Sequence, residues 1–442
     1  MLSRIAVIVS LTMLASGLFA STARVSISSD GVEGNSFSRR AQISGDGRFI
    51  VYESEASNLV PNDTNGRRDV FIYDRSTRTV ELVSVSSEGA QSNEACLSPS
   101  ISADGRYVVF MSWASNLVPN FEKHYYQVYI RDLQKKTTEL VSISPSGEPA
   151  NGESGSATIS ADGKFIAYRS YAKNLVVDDT NEKSDIFVYD RITRKTERVS
   201  VSTQGKQGNG DCRDSFRLVP VISADGRFVA FSSESSNLVP HDTNHHKDVF
   251  VRDRVSQTTE RVSVSSQQKQ ANSDCEGVSV SADGRFVVFN SSASNLVKSD
   301  TNKRMDVFIH DRNSKTTELV SVSTAGLQAN ENCCLPSVSA DGNLVVFESF
   351  ASNLAGSNKE GRTCIFLRDR LAGTTKQIDV PVKCAQLVDD SSSPAVGDSG
   401  RPVITGDGRF IIFESFDPNL VPNDTNEYTD VFICDVLSAG KE

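Results

Sequence analysis

A phrase close to Ile-Ser-Ala-Asp-Gly-Arg-Phe-Val recurs seven times along this chain of 442 residues. The aspartates of the seven copies are Asp46, Asp104, Asp162, Asp225, Asp283, Asp341 and Asp407. Neighbouring aspartates are separated by 58 to 66 residues. A period of this length is typical of an array of supersecondary units, because one such unit cannot bury its own apolar face. The fold and the function therefore belong to the whole array.

The unit at 278–323 predicts four antiparallel strands. Asp283-Gly284 separates two short apolar runs, and glycine supplies the positive φ that a tight hairpin turn needs. A long polar loop then leads to a third run at 306–310, and a short turn leads to a fourth run at 317–323. No helical period is visible in the unit. Four-stranded units of this length predict the blades of a β-propeller, so the predicted fold class is all-β.

The two ends of the chain predict a closed ring. The seventh unit stops after three strands, the last of them at 430–435, and the segment from Arg24 to Ser28 matches a fourth strand that lacks the first three. Pairing these two segments completes a blade and removes an open sheet edge. The sequence therefore predicts one domain at 24–442, a seven-bladed β-propeller of four-stranded antiparallel blades whose last blade is closed by the N-terminal strand.

Residues 1–23 have the pattern of a signal peptide. Arg4 precedes an apolar stretch that is short for a membrane-spanning helix, and Ala20 and Ala23 offer two cleavage positions. The first cysteine is Cys96, so no lipid-accepting cysteine follows directly after this stretch. These features predict a periplasmic or secreted protein with no membrane span after signal cleavage. The alternative is an uncleaved N-terminal anchor.

The charge of the chain excludes one class of partner. The formal net charge is −10 and the isoelectric point is about 5.2. Binding to nucleic acid depends on a basic patch that neutralises phosphates. We therefore predict no nucleic-acid partner.

The repeated core Ser-Ala-Asp-Gly-Arg-Phe-Val-Val-Phe-x-Ser, followed by Asp-Val-Phe-Val-x-Asp-Arg, resembles the WD40-like PD40 repeat of the TolB-like β-propellers. The match spans about Arg24 to Asp435. Such propellers are chiefly binding scaffolds in the bacterial periplasm or outside the cell, and the resemblance implies that role here. We accordingly expect a monomeric, non-catalytic scaffold for a protein or glycan ligand, with no certain cofactor.

The alternative function is a propeller-fold carbohydrate-active enzyme, a lyase or hydrolase with a site on the axis. Metal-dependent catalysis of this kind needs histidines and carboxylates that converge from several blades. Three of the five histidines, His241, His245 and His246, instead fall in one loop. That loop lacks a recognisable metal-ligand spacing, which favours a solvated polar loop.

Strand order divides the blade connections between two faces. The turns after the first and third strands are short and uniform, and they form the short-turn face. The loops after the second strand and the linkers between blades are long and varied, and they form the long-loop face, where function is expected. One long loop is aromatic and contains Phe121, His124, Tyr125 and Tyr126, with Trp113 nearby. We predict a partner-binding patch there; the alternative is that these side chains fill a gap beside the blade.

Five long loops share Asp-Thr-Asn and a further aspartate six residues after the first. The three oxygen-bearing residues of each loop are Asp63, Asn65 and Asp69; Asp179, Asn181 and Asp185; Asp242, Asn244 and Asp248; Asp300, Asn302 and Asp306; and Asp424, Asn426 and Asp430. Oxygen ligands at alternate positions suit Ca²⁺, so each triplet is a candidate calcium site. The alternative is that these side chains bond their own backbone in Asx turns.

Eight cysteines in an exported chain make disulfides plausible. Six of them precede an innermost strand: Cys96, Cys212, Cys275, Cys333, Cys334 and Cys384. We predict that Cys212 pairs with Cys275, and that Cys333 or Cys334 pairs with Cys384, each bridge joining neighbouring blades. The alternative is that all eight cysteines are reduced and act as small apolar fillers.

Overall fold

Seven antiparallel sheets of four strands each make up the protein in its computed structural model. The structure describes residues 21–119, 125–213, 220–355, 361–380 and 399–436. Within these ranges every regular element is a strand. The predicted all-β, seven-bladed propeller is therefore confirmed.

The strands follow one another in chain order, and we number the blades in the same order. Strand β1 is Ser21–Arg24, and blade 1 contains β2 (Ser38–Ile43), β3 (Phe49–Ser54), β4 (Asp69–Asp74) and β5 (Thr79–Leu82). Blade 2 contains β6 (Cys96–Ile101), β7 (Tyr107–Ser112), β8 (Gln127–Asp132) and β9 (Thr137–Leu140). Blade 3 contains β10 (Ser154–Ile159), β11 (Phe165–Ser170), β12 (Asp185–Asp190) and β13 (Lys195–Arg198). Blade 4 contains β14 (Val221–Ile222), β15 (Phe228–Ser233), β16 (Asp248–Asp253) and β17 (Thr258–Arg261).

The remaining three blades have the same composition. Blade 5 contains β18 (Cys275–Val280), β19 (Phe286–Ser291), β20 (Asp306–Asp311) and β21 (Thr316–Leu319). Blade 6 contains β22 (Cys333–Val338), β23 (Leu344–Ser349), β24 (Cys364–Asp369) and β25 (Thr374–Gln377). Blade 7 contains β26 (Ser399–Ile404), β27 (Phe410–Ser415), β28 (Asp430–Asp435) and, as its outermost strand, β1.

Strand β1 closes the ring by pairing antiparallel with β28, from Ser21 opposite Asp435 to Arg24 opposite Phe432. The predicted closure is therefore confirmed, but the strand is Ser21–Arg24 and not the predicted segment from Arg24 to Ser28. The reason is that a fourth strand of this repeat contains only four residues, as in β5. The residues that follow leave the sheet, and Val25 is buried between blades 7 and 1.

The core lies between the blades. One apolar cluster, for example, combines Val51 and Val70 of blade 1 with Val108 and Phe110 of blade 2. Within each blade, the second and third strands also place two aromatic rings opposite each other, with centroids 5.8 to 6.0 Å apart. Since each blade buries its faces against two neighbours, the stability of the ring depends on every blade being present.

The Asp-Gly turns explain the most strongly repeated part of the sequence. In blade 1, the carboxylate of Asp46 accepts hydrogen bonds from the Ser44 hydroxyl (2.6 Å) and the Arg48 backbone N–H (2.9 Å). The Arg48 side chain then donates two hydrogen bonds to Asp74, at the end of the third strand. Four other blades repeat this paired arginine and aspartate contact. The repeat thus encodes the turn and its attachment to the blade.

Backbone hydrogen bonds also join the turns of neighbouring blades around the axis. The N–H of Gly45 donates to the carbonyl of Ala103, whose own N–H donates to Ala161 in the next blade. Six such bonds, 2.9 to 3.1 Å long, run in order from blade 1 to blade 7. This series of main-chain bonds joins the short turns of neighbouring blades around the axis. Side chains add contacts between blades on the same face, such as that of Arg254 with Glu197.

Candidate functional site

A cavity of about 180 Å³ lies on the propeller axis and is lined by the innermost strands of all seven blades. Most of its lining consists of small side chains and prolines, such as Ser98, Pro99 and Ala157. The charged exceptions are Arg40 of blade 1 and Arg401 of blade 7. Two neighbouring blades therefore place positive charge on one side of the axis.

β-Bulges in the innermost strands shape this cavity. In β2 the pairing with β3 shifts between Arg39 and Gln42, and Arg40 has a φ of 53°. Equivalent residues with positive φ are Ser98, Ser156, Gly277, Leu335 and Arg401. A bulge bends its strand and re-aims its backbone groups. Each of these bulges lies in the half of the strand nearer the long-loop face.

Three glutamates use the bulges to link neighbouring blades. The N–H of Arg40 donates to Glu414 (2.5 Å), that of Ser98 to Glu53 (2.7 Å) and that of Arg401 to Glu348 (2.9 Å). All three glutamates occupy the fifth position of a second strand. The other four blades have Met111, Arg169, Ser232 and Asn290 at this position. Carboxylates from blades 6, 7 and 1 therefore gather beside the two axial arginines.

Glu414 is the most perturbed member of this group. Burial raises the pKa of its carboxyl to about 7, although Arg401 and the N–H of Arg40 oppose the shift. A raised pKa at an axial mouth is typical of functional sites, but it also occurs in structural networks. Since the Glu414 carboxylate accepts a backbone hydrogen bond from blade 1, it contributes to the contact between blades.

We expect Glu414→Gln to change how stability depends on pH. Because the folded-state pKa lies above the ordinary value of 4.5, folding favours the protonated carboxyl, and stability falls as pH rises from about 4.5 through 7. The glutamine variant keeps a hydrogen-bond acceptor at this position. Above pH 7 its free energy of unfolding should be about 2–3 kcal/mol higher than that of the unmodified chain, because glutamine does not ionise. Urea unfolding between pH 4.5 and 8.5 measures this, with Glu88→Gln on the exposed linker as control. Parallel profiles for Glu414→Gln and the unmodified chain would contradict the assignment.

In four blades an exposed aromatic side chain occupies the same position of the repeat, immediately after the second strand. Their exposed fractions fall between 40% and 42%, and the residues are Trp113, Tyr171, Phe350 and Phe416. The other three blades have Glu55, Glu234 and Ser292 at this position. Since equivalent positions in a closed ring occupy equivalent places around its axis, the four residues lie on the long-loop face as two pairs, one in blades 2 and 3 and one in blades 6 and 7. We call these four residues the exposed aromatic set.

The predicted aromatic patch is part of this surface as far as the structure describes it. Trp113 packs against Tyr126 with ring centroids 5.7 Å apart, and Tyr125 is exposed. Phe121 and His124 lie outside the described residues. The sequence interpretation missed Tyr171, Phe350 and Phe416, because it considered only the loop that differs from its sister loops. Superposing the seven repeats would have found them.

The Asp-Thr-Asn loops contain the predicted Asx turns. In blade 1, Asn65 donates to the Asp69 carboxylate (2.6 Å), and its side-chain oxygen accepts the N–H of Arg67 (2.8 Å). The same two bonds recur in the four sister loops. Calcium binding by these loops stays a prediction.

An arginine lies between the two aspartates in three of the five loops. Arg198 Nη1 lies 3.0 Å from Asp179 and 3.4 Å from Asp185 in blade 3. Arg261 contacts the corresponding pair in blade 4, and Arg24 contacts the pair in blade 7. Each arginine is the last residue of a fourth strand. A guanidinium therefore supplies the positive charge in blades 3, 4 and 7.

The thiols of Cys212 and Cys275 are both free and buried, so the predicted bridge between them is not formed in this structure. Each thiol instead contacts a serine of its own blade, Ser233 and Ser291 respectively. Blades 1, 3 and 7 have a serine at the same position, bonded in the same way to a second-strand serine. A cysteine at this position therefore replaces a buried serine, which explains why it faces its own blade.

The second predicted bridge involves a residue that the structure does not describe. Cys384 lies outside the described ranges, so the pairing of Cys333 or Cys334 with it stays a prediction. Cys333 contacts Ser349, and Cys334 lies 3.3 Å from the Glu348 carboxylate. Burial, with that carboxylate nearby, raises the pKa of the Cys334 thiol.

The histidine loop has no metal-binding geometry among the described residues. His246 Nδ1 lies 3.2 Å from Asp274, and His241 and His245 are exposed with positive φ. In the described ranges, no group of three or more His, Cys, Asp or Glu side chains has a geometry that could hold a metal ion by itself.

Comparison with known proteins supports the fold. No family model and no curated protein matches this chain. An oligogalacturonate lyase from Vibrio parahaemolyticus is similar in structure, with 13% identity over 96% of this chain and 95% of that chain, and a TM-score of 0.54. The β-propeller domain of the Trilobed protease from Pyrococcus furiosus has 13% identity over 91% and 93%, with a TM-score of 0.53.

Solved TolB structures are also among the structural neighbours, as the resemblance of the repeats predicted. TolB from Acinetobacter baumannii has 16% identity over 75% of this chain, with a TM-score of 0.42, and this chain spans 63% of its length. That score is too low to support a functional argument. The chain is therefore similar in structure to β-propellers of several differently named proteins, and its own structure is that of a seven-bladed β-propeller.

Proposed function

We propose that this protein is a binding scaffold that takes a protein or glycan partner on its long-loop face, around the axial mouth. The observation that carries this proposal is the exposed aromatic set, because an exposed aromatic side chain occurs at the same repeat position in four blades. Aromatic side chains offer large contact area at a low entropic cost, and their faces stack on sugars or fill protein pockets. All five exposed aromatic side chains of the described residues lie on this face.

Charged side chains beside the exposed aromatic set also favour the long-loop face as the binding surface. Arg169 lies over the ring of Tyr171, with its guanidinium carbon 5.6 Å from the ring centroid. Arg40 and Arg401 line the axial cavity between the aromatic residues of the two sides. Arginines among aromatic residues are typical of binding hot spots, and they also pair with carboxylates. Because Arg40 also contacts Glu53 and Arg401 also contacts Glu414, the mouth presents charges of both signs to a partner.

We also propose that the protein acts in the periplasm or outside the cell, as residues 1–23 predict. Of the two cleavage positions, the one after Ala20 leaves β1 complete, whereas cleavage after Ala23 removes three of its four residues. No helix among the described residues is long and apolar enough to cross a membrane. Cleavage after Ala20 is therefore the position compatible with the closed ring.

Alanine substitutions in the exposed aromatic set test the proposal. We expect Trp113→Ala with Tyr171→Ala, and separately Phe350→Ala with Phe416→Ala, to weaken partner capture roughly 10-fold or more, since buried aromatic anchors dominate interface energies. The measurement is capture of partners from an envelope extract by the immobilised mature chain, beside binding to an acidic-glycan array.

The matched control is Ile192→Ala with Leu371→Ala. These side chains are also apolar, and they are more exposed than the aromatic ones, but they lie in turns between third and fourth strands, on the short-turn face. The control should capture partners as the unmodified chain does. If both aromatic variants fold and bind normally, the long-loop face is not the binding site.

A second candidate is a carbohydrate-active enzyme, and the glutamates at the mouth favour it. Glu348, Glu414 and Arg401 line an open pocket beside the axis. A carboxyl with a pKa near 7 has the acid strength that general acid–base catalysis requires. The hydrogen bonds of both glutamates to neighbouring blades favour a structural role, so this candidate comes second. Product formation from acidic glycans that is lost in folded Glu414→Gln would support it.

A further inference from the structure

The arginines between paired aspartates show which groups surround a cation at the base of a long loop. In blade 3, Arg198 contacts Asp179, Asp185 and the side-chain oxygen of Gln207, the last at 2.9 Å. Its second terminal nitrogen lies 3.4 Å from the backbone carbonyl of Asp178. The guanidinium is thus surrounded by oxygen atoms from four residues. Blade 7 has the same arrangement, with a glutamate in place of the glutamine.

Blade 5 keeps these oxygen-bearing residues and lacks the arginine. Its paired aspartates are Asp300 and Asp306, its glutamine is Gln328, and its fourth strand ends in Leu319. No lysine, arginine or histidine among the described residues forms an ion pair with either aspartate. Two carboxylates therefore lie together with only the neutral amide of Gln328 between them, at 2.9 Å from Asp300 and 3.0 Å from Asp306.

An independent observation points to a ligand in blade 5. Asp300 is only 8% exposed, and its Oδ2 atom accepts no hydrogen bond from any described residue. Buried polar atoms are almost always paired, because an unpaired one loses its hydration without compensation. Asp306, by contrast, has partners for both oxygens, which include the Ser321 hydroxyl and the Asn302 amide. The unpaired oxygen is therefore on the aspartate at the loop end of the pair.

We propose that blade 5 binds one Ca²⁺ ion between Asp300 and Asp306, in the position that an arginine side chain fills in blades 3, 4 and 7. The donors are the two carboxylates, the backbone carbonyl before Asp300, and the side-chain oxygen of Gln328. To reach the ion, this oxygen gives up the N–H of Thr301, which it accepts at 3.0 Å in this structure. A set of oxygen donors with two carboxylates suits Ca²⁺ rather than a transition metal.

Blade 1 has the same residues, with Asp63, Asp69, Gln91 and Leu82, but Asp63 is less buried. A second and weaker site is expected there.

The test measures calcium uptake by the full mature chain after treatment with a chelator. Isothermal titration with CaCl₂ at pH 7.5 should show binding to the unmodified chain. Leu319→Arg, which builds the arrangement of blade 3 into blade 5, should lose the tighter site, and Leu82→Arg should lose the weaker one. Metal-free Leu319→Arg should also melt at a higher temperature than the metal-free unmodified chain, because its own guanidinium neutralises the pair.

Two further variants keep the test decisive. Asp300→Asn removes one carboxylate and should lose the tighter site without any new side-chain bulk. Leu140→Arg is the matched control, because blade 2 has Gln127 at the position of Asp306 and should bind no calcium before or after the change. The proposal is overturned if the metal-free unmodified chain takes up no calcium at pH 7.5. Uptake that is the same in Leu319→Arg and Asp300→Asn as in the unmodified chain overturns it equally.

Discussion

A mature chain that lacks residues 21–31 should fold poorly or unfold at a much lower temperature than the intact chain. The deletion removes β1, so β28 becomes an open edge, and it removes Val25 from the core between blades 7 and 1. It also removes Arg24, which pairs with Asp430, and Ser26, whose hydroxyl donates to the same carboxylate at 2.5 Å. Losing a strand, an apolar anchor and two of the partners of a buried carboxylate should cost on the order of 5 kcal/mol or more.

Thermal unfolding of the purified variant, followed by circular dichroism, measures this loss. A synthetic peptide with the sequence of residues 21–34 should restore much of the lost stability when added in excess, because it can pair with the open edge of β28. A peptide of the same composition in scrambled order is the control. A deletion variant that melts like the intact chain would show that β1 does not close the ring.

The second large effect is expected at Gly105, in the Asp-Gly turn of blade 2. Gly105 has a φ of +72°, and a Cβ atom there would lie 2.2 Å from the Phe49 ring of blade 1. Gly105→Ala should therefore combine backbone strain of about 1–2 kcal/mol with a steric cost of about 1–3 kcal/mol. Urea unfolding should show a loss of roughly 3 kcal/mol or more.

Gly89 provides the matched control for this substitution. Its φ is +85°, and no atom lies within 4 Å of a Cβ built there. Gly89→Ala should therefore lose only the backbone term, about 1–2 kcal/mol. Equal losses in the two variants would mean that the Phe49 ring moves aside without cost and that the turn glycine has no role between blades.

The repeat predicted the turn role of this glycine but not its contact with the neighbouring blade. A short-range pattern such as Asp283-Gly284 between two apolar runs specifies a hairpin through backbone geometry alone. The approach of Gly105 to Phe49 depends on how two blades pack. That packing is set by the closure of seven units, and it has no local sequence signal. The fold was predictable because its turns and strands have a local, repeated pattern. The exact start of β1 was not predictable, because it depends on the pairing of β1 with β28.

The candidate site was predictable only in part, for a similar reason. The sequence predicted Trp113 because it lies near a loop that differs from the equivalent loops of the other blades. Tyr171 lies beside a loop that follows the common pattern, so only a comparison of equivalent positions in all seven blades identifies it. The arginines between paired aspartates are also far from the aspartates in sequence, as Arg24 is from Asp430. Cys212 and Cys275 looked like potential bridges until their position proved equivalent to a buried serine in three other blades.

The pairing of β1 with β28 fixes where both ends of the folded chain emerge. At the short-turn face a third strand ends and a fourth strand begins. Ser21 and Asp435 therefore lie side by side on the face opposite the exposed aromatic set. A group attached beside Ser21 or beside Asp435 would therefore be attached on the short-turn face, away from the long-loop face. Immobilisation through either of these two positions should leave the long-loop face towards the solution.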